Sequence, residues 1–191
     1  MPGELAKRYE AGGAACLSVL TDVAHFGGSQ ADLQEARGAC GLPVLRKDFT
    51  VDDRDVVDAR LMGADAILLI VAALDDAELR RFSVLAAELG LAALVEVHDE
   101  AELDRALGAG ATLVGVNGRD LRTFAVDLDV FGRLAGRMPA GAVTVAESGL
   151  RGADDARRVA AAGYDAVLVG ESLVTSPDPE AAVGPFRVPR S

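Results

Sequence analysis

Tryptophan is absent from this chain of 191 residues, and only 4% of it is aromatic. The core must therefore be assembled from Ala, Val and Leu, which suits closely packed layers of strand and helix. Cysteine is scarce as well. Cys16 and Cys40 have no zinc-type spacing and read as two small buried hydrophobes in a reducing compartment. Long hydrophobic runs are missing: the longest, residues 66–74, is about half of what a membrane-spanning helix needs. No basic stretch followed by an apolar one opens the chain. These features argue against a membrane partner and make the cytoplasm the expected location. Positive charge is also short. The 19 Lys and Arg face 30 Asp and Glu, a formal net charge of −11. That argues against a bulk electrostatic grip on a phosphate backbone, so nucleic acid is not an expected partner. The plain meaning of the acidic surface is solubility.

What is present is a repeating unit. Short runs rich in Val, Ile and Leu occur at 16–21, 43–49, 66–72, 92–98, 112–120, 143–149 and 166–173. They are too short for most helices and too continuously apolar for half-exposed antiparallel strands, so they read as parallel strands covered on both faces. Between them lie helical patterns. Leu79, Phe82, Leu85, Ala86 and Leu89 share one face, with Gly90 as a stop. Asp99 and Glu102 have capping-box spacing ahead of Leu103, Ala106 and Leu107. A small or Gly-containing turn then precedes each new strand. The helix–turn–strand unit recurs at roughly 25 residues, the pattern of an α/β sheet with right-handed crossovers. No G-x-G-x-x-G follows any strand, which disfavours a doubly wound dinucleotide fold. A (β/α)8 barrel has eight strands, and this chain offers seven after an opening helix. The expected architecture is one domain over 1–191, a (β/α)8 barrel lacking its first strand, with seven parallel strands.

In such barrels the chemistry sits at the C-terminal ends of the strands. There the sequence places Lys47 and Asp48; Glu96 and His98; Asn117, Arg119 and Asp120; Glu147 and Ser148; and Gly170, Glu171 and Ser172. Taken alone, Lys47 is equally a solvated strand end. Glu96 sits between Val95 and Val97, so the two-residue period points it away from both, into the barrel. A carboxylate there is costly unless paired. Glu147 repeats the situation. His98 reads as a loop residue capping the next helix. Asn117-Gly118 could be only a turn, but Arg119 and Asp120 behind it favour binding. A lysine facing two glutamates in a dry pocket is held charged, as a general acid or oxyanion partner. A Schiff-base role needs the neutral amine and fits less well. The glycine-containing loops 147–152 and 169–173 have the character of a phosphate seat.

These residues carry a family resemblance. The strings SVLTD, FGGS, LPVLRKDF, GADAILLIVA, LVEVHDEAELDRAL, GVNGRDL, ESGL and LVGESL run in order along the chain. Together they resemble the indole-3-glycerol-phosphate synthases. The resemblance implies decarboxylating ring closure of 1-(2-carboxyphenylamino)-1-deoxyribulose 5-phosphate without a cofactor or metal. It implies Lys47 as the acid and Glu96 and Glu147 as its holders. Asn117 and Arg119 would contact the anthranilate part of the substrate, Phe26 and Phe49 would wall it, and Ser148, Gly149, Gly170 and Glu171 would lie in the sugar and phosphate loops. The family also begins with a strand of the type E-x-K-x-x-S-P-S, bearing a second lysine and a glutamate, which this sequence does not contain. A second reading follows: an impaired barrel that binds a phosphorylated ligand or a partner chain, and self-associates through open strand edges. A phosphosugar isomerase is a third, but it would need a base at the barrel mouth, and Cys16 lies at a strand start.

Overall fold

The computed structural model of the protein describes residues 1–120, 123 and 125–188. The strands are β1 (Leu17–Leu20), β2 (Val44–Lys47), β3 (Ala66–Ile70), β4 (Ala92–Val97), β5 (Leu113–Asn117), β6 (Val143–Glu147) and β7 (Ala166–Leu168). All pair in parallel, in chain order, so the sheet is a curled, partly closed barrel with β1 and β7 at its two ends. Helices α1 (Pro2–Ala11), α2 (Val23–Phe26), α3 (Gln30–Ala39), α4 (Asp53–Met62), α5 (Asp76–Glu88), α6 (Glu100–Gly108), α7 (Asp129–Ala135) and α8 (Ala153–Ala161) alternate with the strands. Two short helices, α9 (Glu171–Val174) and α10 (Pro179–Val183), follow β7. The seven expected strands are all present.

The strand period sorts side chains into two cores. Val44, Ile67, Leu69, Val95, Val97, Val114, Val116 and Ala146 point outward and pack under the helices with Leu33, Val56, Leu79, Phe82, Leu103 and Leu134. Leu45, Leu68, Ile70, Leu94 and Val145 point inward and fill the base of the barrel. Helices α4, α6 and α8 stop where the sequence supplies a residue free to turn left-handed: Gly63 at φ 94°, Gly110 at 87° and Gly163 at 103°. The aspartate two residues after two of those turns then clamps the strand before it. Asp65 Oδ2 accepts the Val44 N–H at 2.8 Å, and Asp165 Oδ2 accepts the Thr144 N–H at 2.8 Å. The "G-x-D-A" string is thus a register device, aligning each new strand with its predecessor.

The cysteines differ from expectation. Cys16 is exposed and Cys40 only half-buried, and both are free. Each lies just before or after a regular element; Cys40 packs against the outer core without being enclosed by it.

Candidate active site

Four strands carry their last inward residue to one point. β2 ends on Lys47, β4 presents Glu96, β5 ends on Asn117 and β6 ends on Glu147. Lys47 Nζ lies 2.8 Å from Glu96 Oε2 and 3.4 Å from Glu147 Oε2. The first contact is a hydrogen bond; the second is a close approach without one. Asn117 Nδ2 donates to Glu96 Oε1 at 3.0 Å, and its Oδ1 accepts the Arg119 N–H at 3.0 Å. Asn117 therefore braces Glu96 and the start of the Arg119 loop at once.

The two glutamates are equally buried, with 1% of each side chain exposed, but they are not equivalent. Burial disfavours the Glu96 charge, yet the Lys47 ammonium and the hydrogen bonds from Lys47 and Asn117 outweigh it and hold its pKa below the ordinary value. Glu147 has no hydrogen-bond partner on either oxygen among the described residues. Its burial, together with the Glu96 charge, pushes its pKa up to about 8. Burial likewise works against the Lys47 charge, but the carboxylates more than offset it and raise its pKa. Near neutral pH the trio is thus an ammonium, a carboxylate and a protonated carboxyl.

The room for Glu147 comes from the neighbouring strand. Gly115 of β5 pairs with Val145 of β6 and Glu96 of β4. A Cβ on Gly115 would stand 1.9 Å from Glu147 Oε1 and 3.2 Å from Leu94 Cδ1. Only a residue without a side chain leaves that volume to a carboxyl. Sequence reasoning passed over Gly115 because a strand glycine also marks a bulge or a weak strand.

His98 is the second residue missed. The expectation of a helix-capping loop residue is half met: Glu102 accepts the His98 N–H at 2.8 Å and its ring Nδ1 at 2.9 Å. The other ring nitrogen, however, points inward, 3.5 Å from Glu96 Oε1. An i,i+4 His–Glu pair at a helix start looks the same in sequence whichever way the ring turns.

The remaining expected residues surround this cluster. Phe26, the last residue of α2, and Phe49, in the loop after β2, are 54% and 45% exposed, an unusual position for aromatics unless something apolar covers them. Arg46, beside Lys47 but on the opposite face, binds Thr21, Asp48 and the Asp55 carbonyl, and so ties those loops down. Ser148 adopts φ 66°, rare for a side chain other than glycine, and Gly149 follows at 76°. A Cβ at Gly149 would meet Val126 Cγ1 at 2.4 Å, so this turn seats directly on the long loop after β5. Ser172 Oγ donates to the Leu150 carbonyl at 3.1 Å and joins the loops after β6 and β7. Gly170 starts α9, and Glu171 sends its exposed carboxylate toward Arg119 at 3.7 Å. The geometry brings Lys47, Glu96, Asn117 and Glu147 into one contact network and arranges the other expected residues around its mouth.

The family model for indole-3-glycerol phosphate synthase matches residues 1–186. The chain belongs to the indole-3-glycerol phosphate synthase family. A synthase of that name from Nocardioides sp. is 59% identical over 182 residues, spanning 95% of this chain and 70% of the relative. Indole-3-glycerol phosphate synthase 2 of Streptomyces coelicolor is 57% identical over 178 residues, 93% of this chain and 69% of the relative. Among solved structures, 3-hexulose-6-phosphate synthase superposes with a TM-score of 0.76 at 16% identity, covering 97% of this chain and 91% of that one. Thiamine phosphate pyrophosphorylase from Pyrococcus furiosus gives 0.73 at 19% identity, covering 96% and 86%. The last two share the fold alone. No helix of the described residues is long and apolar enough to cross a membrane.

Proposed function

We propose that the chain performs the decarboxylating ring closure of 1-(2-carboxyphenylamino)-1-deoxyribulose 5-phosphate to indole-3-glycerol phosphate, with Lys47 as general acid. The observation that carries this reading is the Lys47 ammonium gripped by Glu96 at 2.8 Å inside the barrel mouth. The aromatic carbon bearing the carboxylate attacks the ketone, and the carbonyl oxygen takes a proton from Lys47 Nζ. Loss of carbon dioxide restores the aromatic ring. Departure of the new hydroxyl as water, with loss of a proton from the five-membered ring, completes the indole. The sum consumes one proton and releases carbon dioxide and water.

The roles follow from charge state. Lys47, low in the pocket and held charged, stabilises the developing oxyanion. Glu147, protonated up to about pH 8, is an acid for the departing hydroxyl. Glu96, kept ionised, favours the charged form of Lys47, so that the amine takes up a proton from solvent after each transfer. Arg119 supplies positive charge for the anthranilate carboxylate, and Phe26 and Phe49 cover the aromatic ring. The linked loops at Ser148, Gly149 and Gly170 offer backbone N–H groups to the phosphate, with Glu171 contributing its N–H rather than its carboxylate.

The test is the appearance of indole fluorescence on adding the substrate. Lys47→Met is expected to lower kcat by about 10³-fold with KM changed far less. Equal turnover by the variant would remove Lys47 from the chemistry. Ligand-dependent thermal stabilisation without turnover in the wild type would favour the non-catalytic, phosphate-binding reading instead.

A further inference from the structure

His98 has no role in the mechanism above, yet it is built into the site. Its side chain is only 14% exposed, and its Nε2 lies 3.5 Å from Glu96 Oε1 with no hydrogen-bond partner among the described residues. Glu102 decides what that nitrogen carries. A carboxylate accepts only, so the 2.9 Å contact requires a proton on Nδ1. A neutral ring would then aim the bare lone pair of Nε2 at a Glu96 oxygen: two acceptors face to face in a buried place. A proton on Nε2 turns that repulsion into a charge-assisted contact.

We propose that His98 is a positioning residue for the ring closure: pinned by Glu102, its imidazolium braces the Glu96 carboxylate from the side opposite Lys47. The idea rests on the reading given under Proposed function. Around the ring stand Glu96 on β4, Glu102 on α6 and Glu147 on β6, with the Lys47 ammonium of β2 beyond Glu96. Burial works against the charged ring, but the Glu102 hydrogen bond and the neighbouring carboxylates, Glu96 and Glu102 foremost, prevail and raise its pKa. Glu96 is thereby held from three directions, by Lys47, Asn117 and His98. It cannot follow the lysine when the ammonium turns to the substrate.

The chain has two histidines, His25 and His98, so the imidazoles can be followed separately. In ¹⁵N-histidine NMR spectra, with His25→Gln marking the other signal, His98 is expected to carry protons on both nitrogens at pH 7. Its midpoint should fall in Glu102→Gln. In turnover, His98→Gln should lower kcat about tenfold, the worth of one charge-assisted hydrogen bond, with KM within twofold. It should also erase the part of the alkaline limb of the wild-type kcat profile that coincides with the His98 midpoint. A neutral His98 at pH 7, a midpoint unmoved in Glu102→Gln, or a His98→Gln profile that matches wild type would each overturn the proposal. The spectra are taken on protein with His98 in place, so they decide even where His98→Gln fails to fold. A wild type that binds but does not turn over, while His98 is fully protonated, would sink the functional reading and leave the clamp standing.

Discussion

Glu147 is the residue whose environment is least like water. Its unfolded carboxyl titrates near the ordinary 4.5, its native one near 8. The native state therefore binds the proton more tightly. Its contribution to stability is fully present below pH 4.5 and is lost as pH rises through about 8. Glu147→Gln removes that dependence. Thermal melts across pH 5–9 are expected to show a smaller alkaline decline in the variant than in the wild type; parallel curves would mean that Glu147 is ionised throughout. The same substitution deletes the acid for the departing hydroxyl, so kcat should fall by about 10²-fold while the protein melts no earlier at pH 8. A group whose stabilising contribution fades as pH rises and which is proposed to serve turnover fits a site in which stability is traded for chemistry.

The strand–turn–helix unit explains what could be read in advance. Alternation of Val95, Glu96 and Val97 was sufficient to put Glu96 inside, because a parallel strand covered on both faces has only two directions to offer. The same logic placed Glu147, whereas Lys47 was read from its place at a strand end facing the two glutamates. It failed where direction is set by a contact rather than by period. His98 lies one residue beyond β4, and its ring orientation follows from Glu102 on the next helix. Gly115 matters for the volume it leaves empty, which no pattern of side chains announces. Cys16 and Cys40 fall outside the regular elements, so composition alone overstated their burial. The "G-x-D-A" clamp makes a prediction at this scale. Asp65→Ala strips the partner from the Val44 N–H at the start of β2. It should cost about 1–3 kcal/mol and lower Tm by roughly 3–8 °C, with turnover reduced only as far as Lys47 moves with its strand. An unchanged melt would show that water replaces the carboxylate at no cost.

Across the whole molecule the sheet has two ends. β1 and β7 close the strand order, and β7 is short, with Ala166 exposed on the inner face. Unpaired strand edges present rows of N–H and C=O groups that favour pairing with another chain. Sedimentation is expected to show a concentration-dependent dimer for this chain, weakened in Ala166→Lys, where a charge guards the edge. A single species at all concentrations would remove edge pairing from consideration. The net charge of −11 opposes such association at low ionic strength, so the dimer should strengthen as salt rises.

The hollow that Gly115 leaves for Glu147 also fixes the order in which this interior can change. A methyl group at 115 collides with the long acid in its present place and, once the acid has been shortened, is left with a tight contact of 3.2 Å to Leu94 Cδ1. A lineage that gives up the acid can fill the space behind it, and from then on regaining the acid takes two simultaneous replacements. Loss of this chemistry would in that way become hard to reverse, through nothing more than one added carbon on the adjoining strand.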